Sequence, residues 1–275
     1  MGMMEVSHLT RDYGQGKGIF DLSFSIAPGE VFGFLGPNGA GKTTTIRHLM
    51  GFLRPREGSC TINGMDCWKD AARIQKNLGY IPGEIAFFGD MDGWAYLSFL
   101  QKYRGMSGGN RMMELIARFE VNPNGKIKKM SKGMKQKIGI VAAFMHDPAI
   151  LILDEPTSGL DPLMQGRFVE LIQEEKAAGK TILMSSHMFE EVERTCDRIG
   201  IIRSGKLVAL DSASALGAKH RKRYTVTLAT SQEASDFAKA FGGEQNRLNP
   251  CQVTLTQKQT LEDIFLHYYA EEDKP

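Results

Sequence analysis

An apolar run that ends in two adjacent acids constrains this chain more than any other feature. Ile150-Leu151-Ile152-Leu153 leads straight into Asp154-Glu155-Pro156-Thr157-Ser158-Gly159-Leu160-Asp161. Four consecutive branched apolar residues suit a strand covered on both faces, as in a parallel sheet, where alternation is not required. Pro156 stops the strand, so the two carboxylates are delivered at a sheet edge. Successive side chains of a strand point to opposite sides, which predicts separate jobs for Asp154 and Glu155, one holding a metal and the other handling a proton.

A second motif gives these acids something to act on. Gly36-Pro37-Asn38-Gly39-Ala40-Gly41-Lys42-Thr43 has two glycines bracketing four residues, followed by Lys and a hydroxyl residue, which is the phosphate-loop pattern. Val31-Phe32-Gly33-Phe34-Leu35 reads as the buried strand before it, and Thr44-Thr45-Ile46-Arg47-His48-Leu49-Met50 as the helix start behind it. The glycines let backbone amides face a polyphosphate at the positive end of a helix, and Lys42 adds a point charge for the outer phosphates. Thr43 is placed to put its hydroxyl on Mg²⁺. Asp154 then becomes a direct or indirect carboxylate for that Mg²⁺, and Glu155 the candidate base for water.

At 275 residues and 42% hydrophobic, the chain has enough apolar surface for one large domain with a small appendage. A net charge of +2 lacks the basic excess of a duplex-binding surface, so nucleic acid is not an expected partner. Apolar stretches such as Ile138 to Met145 fall far short of the ~20 residues that span a bilayer. Met1 to Arg11 has no apolar core of the secretory type, and the protein is expected in the cytosol. Cys60, Cys67, Cys196 and Cys251 lack the paired spacing of a zinc site, so they are expected as reduced structural thiols. No metal other than nucleotide-bound Mg²⁺ is expected.

Phe20, Leu22, Phe24 and Ile26 alternate with polar residues, which predicts a half-buried strand, and Gly58 to Gly64 is a second strand-rich piece, together forming an antiparallel subdomain. From Met91 to Phe119 the apolar residues take helical spacing and predict a helical insertion. Thr181 to Met184 and Arg198 to Ile202 read as short strands interleaved with a helix around Leu163 to Ala178, an alternation that argues for an α/β sheet. The basic run Lys219-His220-Arg221-Lys222-Arg223 reads as a solvated junction. Behind it the pattern predicts strands at Tyr224 to Leu228 and Gln252 to Leu255, and helices at Gln232 to Phe241 and Leu261 to Tyr269.

Between the helical insertion and the acidic strand lies Met130-Ser131-Lys132-Gly133-Met134-Lys135-Gln136-Lys137, opening a helix through Phe144. In order, the phosphate loop, this Ser-x-Gly signature, the acidic strand end and Ser185-Ser186-His187 resemble the ABC ATPase family over most of residues 1–210. Ser107-Gly108-Gly109 is closer to the signature in letters, but it precedes a second helix of the insertion, so the signature is assigned to Ser131 and Gly133. Pro82-Gly83-Glu84, Ser-Lys-Gly-Met and Leu261-Glu262-Asp263-Ile264-Phe265 are similar to the export-type, ABC-2-like branch.

The resemblance implies an α/β fold: a P-loop NTPase core with a mostly parallel sheet, an antiparallel β subdomain and a helical subdomain at about 84–146. Residues 1–216 would form this ATP-binding domain and 217–275 a small C-terminal α/β appendage. It implies that ATP with Mg²⁺ is bound by Gly36, Pro37, Asn38, Gly39, Ala40, Gly41, Lys42, Thr43 and Thr44, with Tyr13 on the adenine and Thr43 and Asp154 serving the metal. Glu155, His187 and Lys42 take the catalytic roles. Ser131 and Gly133 would close over the γ-phosphate held by another subunit, in a homodimer or with a related ATPase, and Asp161 would link the two sites.

Where the family commonly carries a metal-reaching glutamine, this chain has Gly83, so either Glu84 substitutes or the metal takes an additional water. The function implied is an ATP-hydrolysing subunit on the inner face of the cell membrane, powering a separately encoded permease for export. The alternative is a soluble ABC ATPase acting on nucleic acid or ribosomes, but such relatives usually join two ATPase domains or carry long coiled coils.

Overall fold

The computed structural model describes residues 2–88, 90–212, 214–216, 221–258 and 260–270. The chain divides into two compact units, Met1–Leu210 and Asp211–Pro275. The first is built on a six-stranded sheet ordered β10-β9-β3-β8-β7-β6, comprising Lys206–Asp211, Arg198–Arg203, Val31–Leu35, Thr181–Ser186, Ile150–Asp154 and Leu78–Ile81. From β9 to β6 neighbouring strands pair in parallel. Every residue of β3, β7 and β8 is buried, as continuous apolar runs between two covering layers require.

Register then decides where function can sit. Leu35 pairs with Ser186, and Asp154 pairs with Ser185. The carboxyl ends of β3, β8 and β7 therefore lie side by side, and whatever follows each strand meets at one edge of the sheet.

The antiparallel sheet has the order β2-β1-β4-β5, with β1 at Met4–Gly14, β2 at Lys17–Ile26, β4 at Glu57–Ile62 and β5 at Met65–Asp66. Strand β1 escapes pattern reading because its register shifts between Val6 and Leu9 and again beyond, and His8 has φ 49°, so the period of two is broken. In β2 a similar break at Asp21, with φ 53°, buries Ile19 in place of the expected Phe20, while Leu22, Phe24 and Ile26 face inward as predicted. Phe24 stacks on Phe32 with ring centroids 5.3 Å apart, joining this sheet to the central one.

The insertion carries α3 (Gly93–Tyr103), α4 (Asn110–Arg118) and α5 (Lys132–Phe144). Salt bridges clasp α4 to α6 (Pro162–Ala177). Arg111 pairs with the buried Glu175, Arg118 with Glu174 at 2.6 Å, and Arg167 with Glu120 at 2.8 Å.

In the second unit β11 (Arg221–Thr227) pairs with β13 (Gln252–Lys258), which also pairs with β12 (Glu244–Gln245). The basic run is thus not only a junction, since its last three residues open β11; Lys219 and His220 lie outside the described residues. Helix Ser231–Phe241 is stopped at each end by local chemistry, a Thr230/Glu233 capping box and Gly242 in the left-handed conformation. Among the described residues no helix is long and apolar enough to cross a membrane.

Strand β6 lies directly against the end of α5, where a Cβ on Gly79 would stand 2.3 Å from the Ala143 carbonyl oxygen. Gly79→Ala is expected to cost about 1–3 kcal/mol through this overpacking, read as a lower urea midpoint at unchanged slope.

Candidate functional site

The phosphate loop leaves β3 and enters α1 (Lys42–Leu49) through Gly41, whose φ of 115° only glycine adopts readily and whose Cβ would strike Ile19 at 2.7 Å. Gly41 caps α1 without a side chain, so the amides of the first turn are presented toward the loop. Lys42 is buried at 5% exposure. Its Nζ donates to the carbonyl oxygens of Gly36 and Pro37 and lies 3.1 Å from Glu155 Oε1.

Asp154 is fully buried, and both of its oxygens are held. Oδ2 accepts from Thr43 Oγ1 at 2.8 Å, and Oδ1 accepts from Ser185 Oγ. One carboxylate therefore ties the ends of β7 and β8 to the start of α1. Burial, with the nearby Asp154 charge, pushes the Tyr80 hydroxyl up to about 12.

Glu155 is placed differently from the expectation. It lies past the strand in the left-handed region, at φ 51°, with its N–H donating to Ser185 O at 3.2 Å and Ser185 Oγ at 3.1 Å. Strand alternation does not separate the two acids; a strained turn does, and it brings Glu155 to the same cavity as Thr43. There Glu155 Oε2 receives His187 Nδ1 while Oε1 faces Lys42. A single carboxylate thus touches both of the other residues expected to act in catalysis.

The cavity has a volume of about 650 Å³ and is lined by Asn38, Thr43, Gly83, Glu84, Ile85, Lys132, Lys135, Gln136, Glu155, Ser158 and His187. Gly83 comes so close to the acidic strand that a Cβ there would stand 3.1 Å from Asp154 Oδ2. A scan of protein families matches residues 19–158 to the ABC transporter model. The chain belongs to that family.

Linearmycin resistance ATP-binding protein LnrL of Bacillus subtilis (strain 168) is 36% identical over 220 residues, covering 78% of this chain and 70% of LnrL. Nod factor export ATP-binding protein I of Cupriavidus pinatubonensis (strain JMP 134 / LMG 1197) is 31% identical over 278 residues, covering 99% of this chain and 82% of that protein. A solved structure described as an ATP binding subunit of an ABC transporter superposes with a TM-score of 0.73 at 32% identity, covering 79% of this chain and 92% of that one. As a member of the ABC transporter family, the chain is an ATP-binding subunit with ATPase activity.

Other residues of the ABC pattern stand apart from the cavity lining. Ser131 caps α5, accepting from Met134 N at 3.2 Å, and Asp161 caps α6, accepting from Met164 N at 3.0 Å. Gly133 lies against the Ser158-Gly159 turn, where its Cβ would stand 2.6 Å from Gly159 O. Tyr13 is exposed on β1 with the Arg11 guanidinium 5.3 Å from its ring. Ser107-Gly108-Gly109 precedes α4, away from the start of α5.

Three contributors were not assigned from sequence. Ser185 braces both acids, Lys132 Nζ donates to Ser158 Oγ at 2.8 Å, and the buried Gln136 donates to Pro156 O at 2.6 Å. Two serines closing an otherwise apolar strand are the one visible signal for the first of these. Ser185→Ala leaves Asp154 Oδ1 buried without that donor, with an expected cost of about 1–3 kcal/mol in urea unfolding and a lower ATPase rate.

Proposed function

We propose that this ATP-binding subunit closes head to tail with a second copy or a related ATPase around two ATP molecules, and that closure and reopening drive export through a separately encoded permease. The observation that carries the chemical part is the double engagement of Glu155, by Lys42 on one oxygen and His187 on the other. A polyphosphate in the Gly36–Thr43 loop competes for the Lys42 ammonium and draws it off Glu155, leaving that carboxylate to take hydrogen bonds from water. Glu155 then polarises the attacking water as its oxygen bonds the γ-phosphorus and the bond to the bridging oxygen breaks. His187, oriented by its Nδ1 contact, orders that water and the γ-phosphate.

Mg²⁺ fits the residues present. Thr43 and Asp154 offer hard oxygen donors 2.8 Å apart, and Asp154 is fully desolvated. Among the described residues no group of three or more acids, histidines or cysteines forms a metal cage, so Thr43 and Asp154 would hold the ion together with the nucleotide. Glu84, on the cavity wall beside Gly83, would be a further ligand, or a water would stand in its place. When bound, the metal neutralises charge on the phosphates.

Residues 1–216 act as the ATP-binding domain, with Gly36 to Thr44 on the phosphates and Tyr13 stacked on adenine, and residues 217–275 as an appendage. Ser131 and Gly133 serve the partner's nucleotide, and Asp161 links the two sites. Export agrees with the printed names of these two relatives, which concern linearmycin resistance and Nod factor export. The subunit is held at the inner face of the membrane through its permease.

The exposed aromatics of the helical insertion support a docking surface for that permease. Phe88, Phe99 and Tyr103 are 60%, 42% and 78% exposed, with neighbouring ring centroids 5.8 and 6.2 Å apart. Tyr96 joins them to a groove of about 210 Å³ lined by Phe52, Leu78, Tyr80, Leu100 and Arg104. The floor strand β6 runs directly on to Gly83, so a segment seated there bears on the wall of the nucleotide cavity.

Glu155→Gln is expected to bind ATP, hydrolyse it about 100-fold or more slowly, and accumulate as an ATP-bound dimer in light scattering; normal turnover would sink the assignment of the base. Phe88→Ser with Tyr103→Ser should leave the ATPase rate of the isolated subunit unchanged while reducing recovery of a polytopic membrane protein after gentle solubilisation. Recovery of ribosomes or DNA in its place would overturn the transport reading.

A further inference from the structure

The loops carrying Glu155 and His187 meet at a carboxyl group that the chemistry above leaves unused. Glu191 lies in α7 (Phe189–Thr195) and is 4% exposed. Its Oε2 accepts from Ser186 Oγ at 2.7 Å and from Thr157 Oγ1 at 3.3 Å. Ser186 directly precedes His187, and Thr157 comes two residues after Glu155. Ser186 Oγ also accepts from Met188 N at 3.0 Å, closing a turn around His187. Among the described residues, Glu191 Oε1 is buried with no hydrogen-bond partner. An acid buried with one oxygen unsatisfied is costly to keep, and a group that only filled space would be replaced by an apolar residue without that cost.

We propose that Glu191 is a positioning residue for ATP hydrolysis: one carboxyl oxygen, shared by the hydroxyls of Ser186 and Thr157, fixes the spacing between His187 and Glu155. This rests on the assignment of those two residues above. Each lies just beyond the end of its strand, where the sheet reaches the Glu155 amide through Ser185 O but leaves the two side chains to be placed by their loops.

The strap also senses protons. Burial first, then the Glu155 charge, pushes the Glu191 carboxyl up to about 7, against the pull of its two hydroxyl bonds and of His187. The ionisable groups around it are Glu155 and His187 on the loops, Glu190 and Arg194 on its own helix, and Cys196 just beyond; α6 faces it with Gln165, Gly166 and Val169. Below that pH the carboxyl is neutral and its bonds to the hydroxyls are ordinary. Above it they become charge-assisted and the strap tightens, so turnover rises through an inflection near neutrality.

The test is the pH profile of ATPase activity with kcat and KM separated. Glu191→Ala should lose about tenfold in kcat with KM for ATP little changed, as displaced groups do. Glu191→Gln keeps an oxygen for both hydroxyls, so it should recover most of that loss and show no inflection near pH 7. Thr157→Val, which removes one arm, should fall between them, and it decides the matter with Glu191→Gln if the alanine variant does not fold. Wild-type kcat and profile in Glu191→Ala, or equal defects in the alanine and glutamine variants, overturn the proposal. Glu155→Gln measured alongside separates the two readings. Normal turnover there removes the base assignment, whereas slow turnover there with unaltered Glu191 variants removes only the strap.

Discussion

A buried carboxylate must be satisfied from within the protein, and Asp154 is satisfied by two hydroxyls, one from a helix start and one from a neighbouring strand. Thr43 comes from the helix after β3 and Ser185 from the end of β8. The three strand ends can supply those partners only if their register is that of a parallel sheet with β8 between β3 and β7. The geometry of the phosphate loop, the turn at Glu155 and the position of His187 all follow from this one junction. Remove it and a charge is stranded in the interior of the molecule rather than at its surface.

The segment after Asp154 is held on several sides. Ser185 takes the Glu155 amide, Gln136 takes the Pro156 carbonyl, Lys132 takes Ser158, and Glu191 takes Thr157. A turn with φ 51° at a non-glycine residue persists only when its surroundings over-determine it, and these contacts supply that excess. The strain is therefore located at the residue whose carboxylate meets Lys42 and His187.

The parts legible from sequence are those whose physics is local. The Gly36–Thr43 loop announces itself because backbone turns toward phosphate need glycine at fixed offsets, and β7 because four apolar residues in a row have few other places to go. The caps at Ser131 and Asp161 rest on equally local chemistry, a short polar side chain accepting from the amide three residues on. Strand β1 was not, since its irregularities at His8 and beyond remove the only periodic signal such a strand has. The Arg111 to Glu175 clasp and the Glu191 to Thr157 bond join residues 64 and 34 positions apart, and no short pattern encodes them. Strand alternation predicts separate places for Asp154 and Glu155, but alternation stops where the left-handed turn begins, and it is the turn that sets the two acids apart.

Helix α5 is seated at both ends without room for a methyl group: Gly133 rests on the Gly159 carbonyl, and the Ala143 carbonyl rests on Gly79. Its 13 residues make a rod about 20 Å long. A rod pinned in this way has little slack, so the Ser131 end keeps a fixed spacing from the strand that floors the aromatic groove and leads on to Gly83.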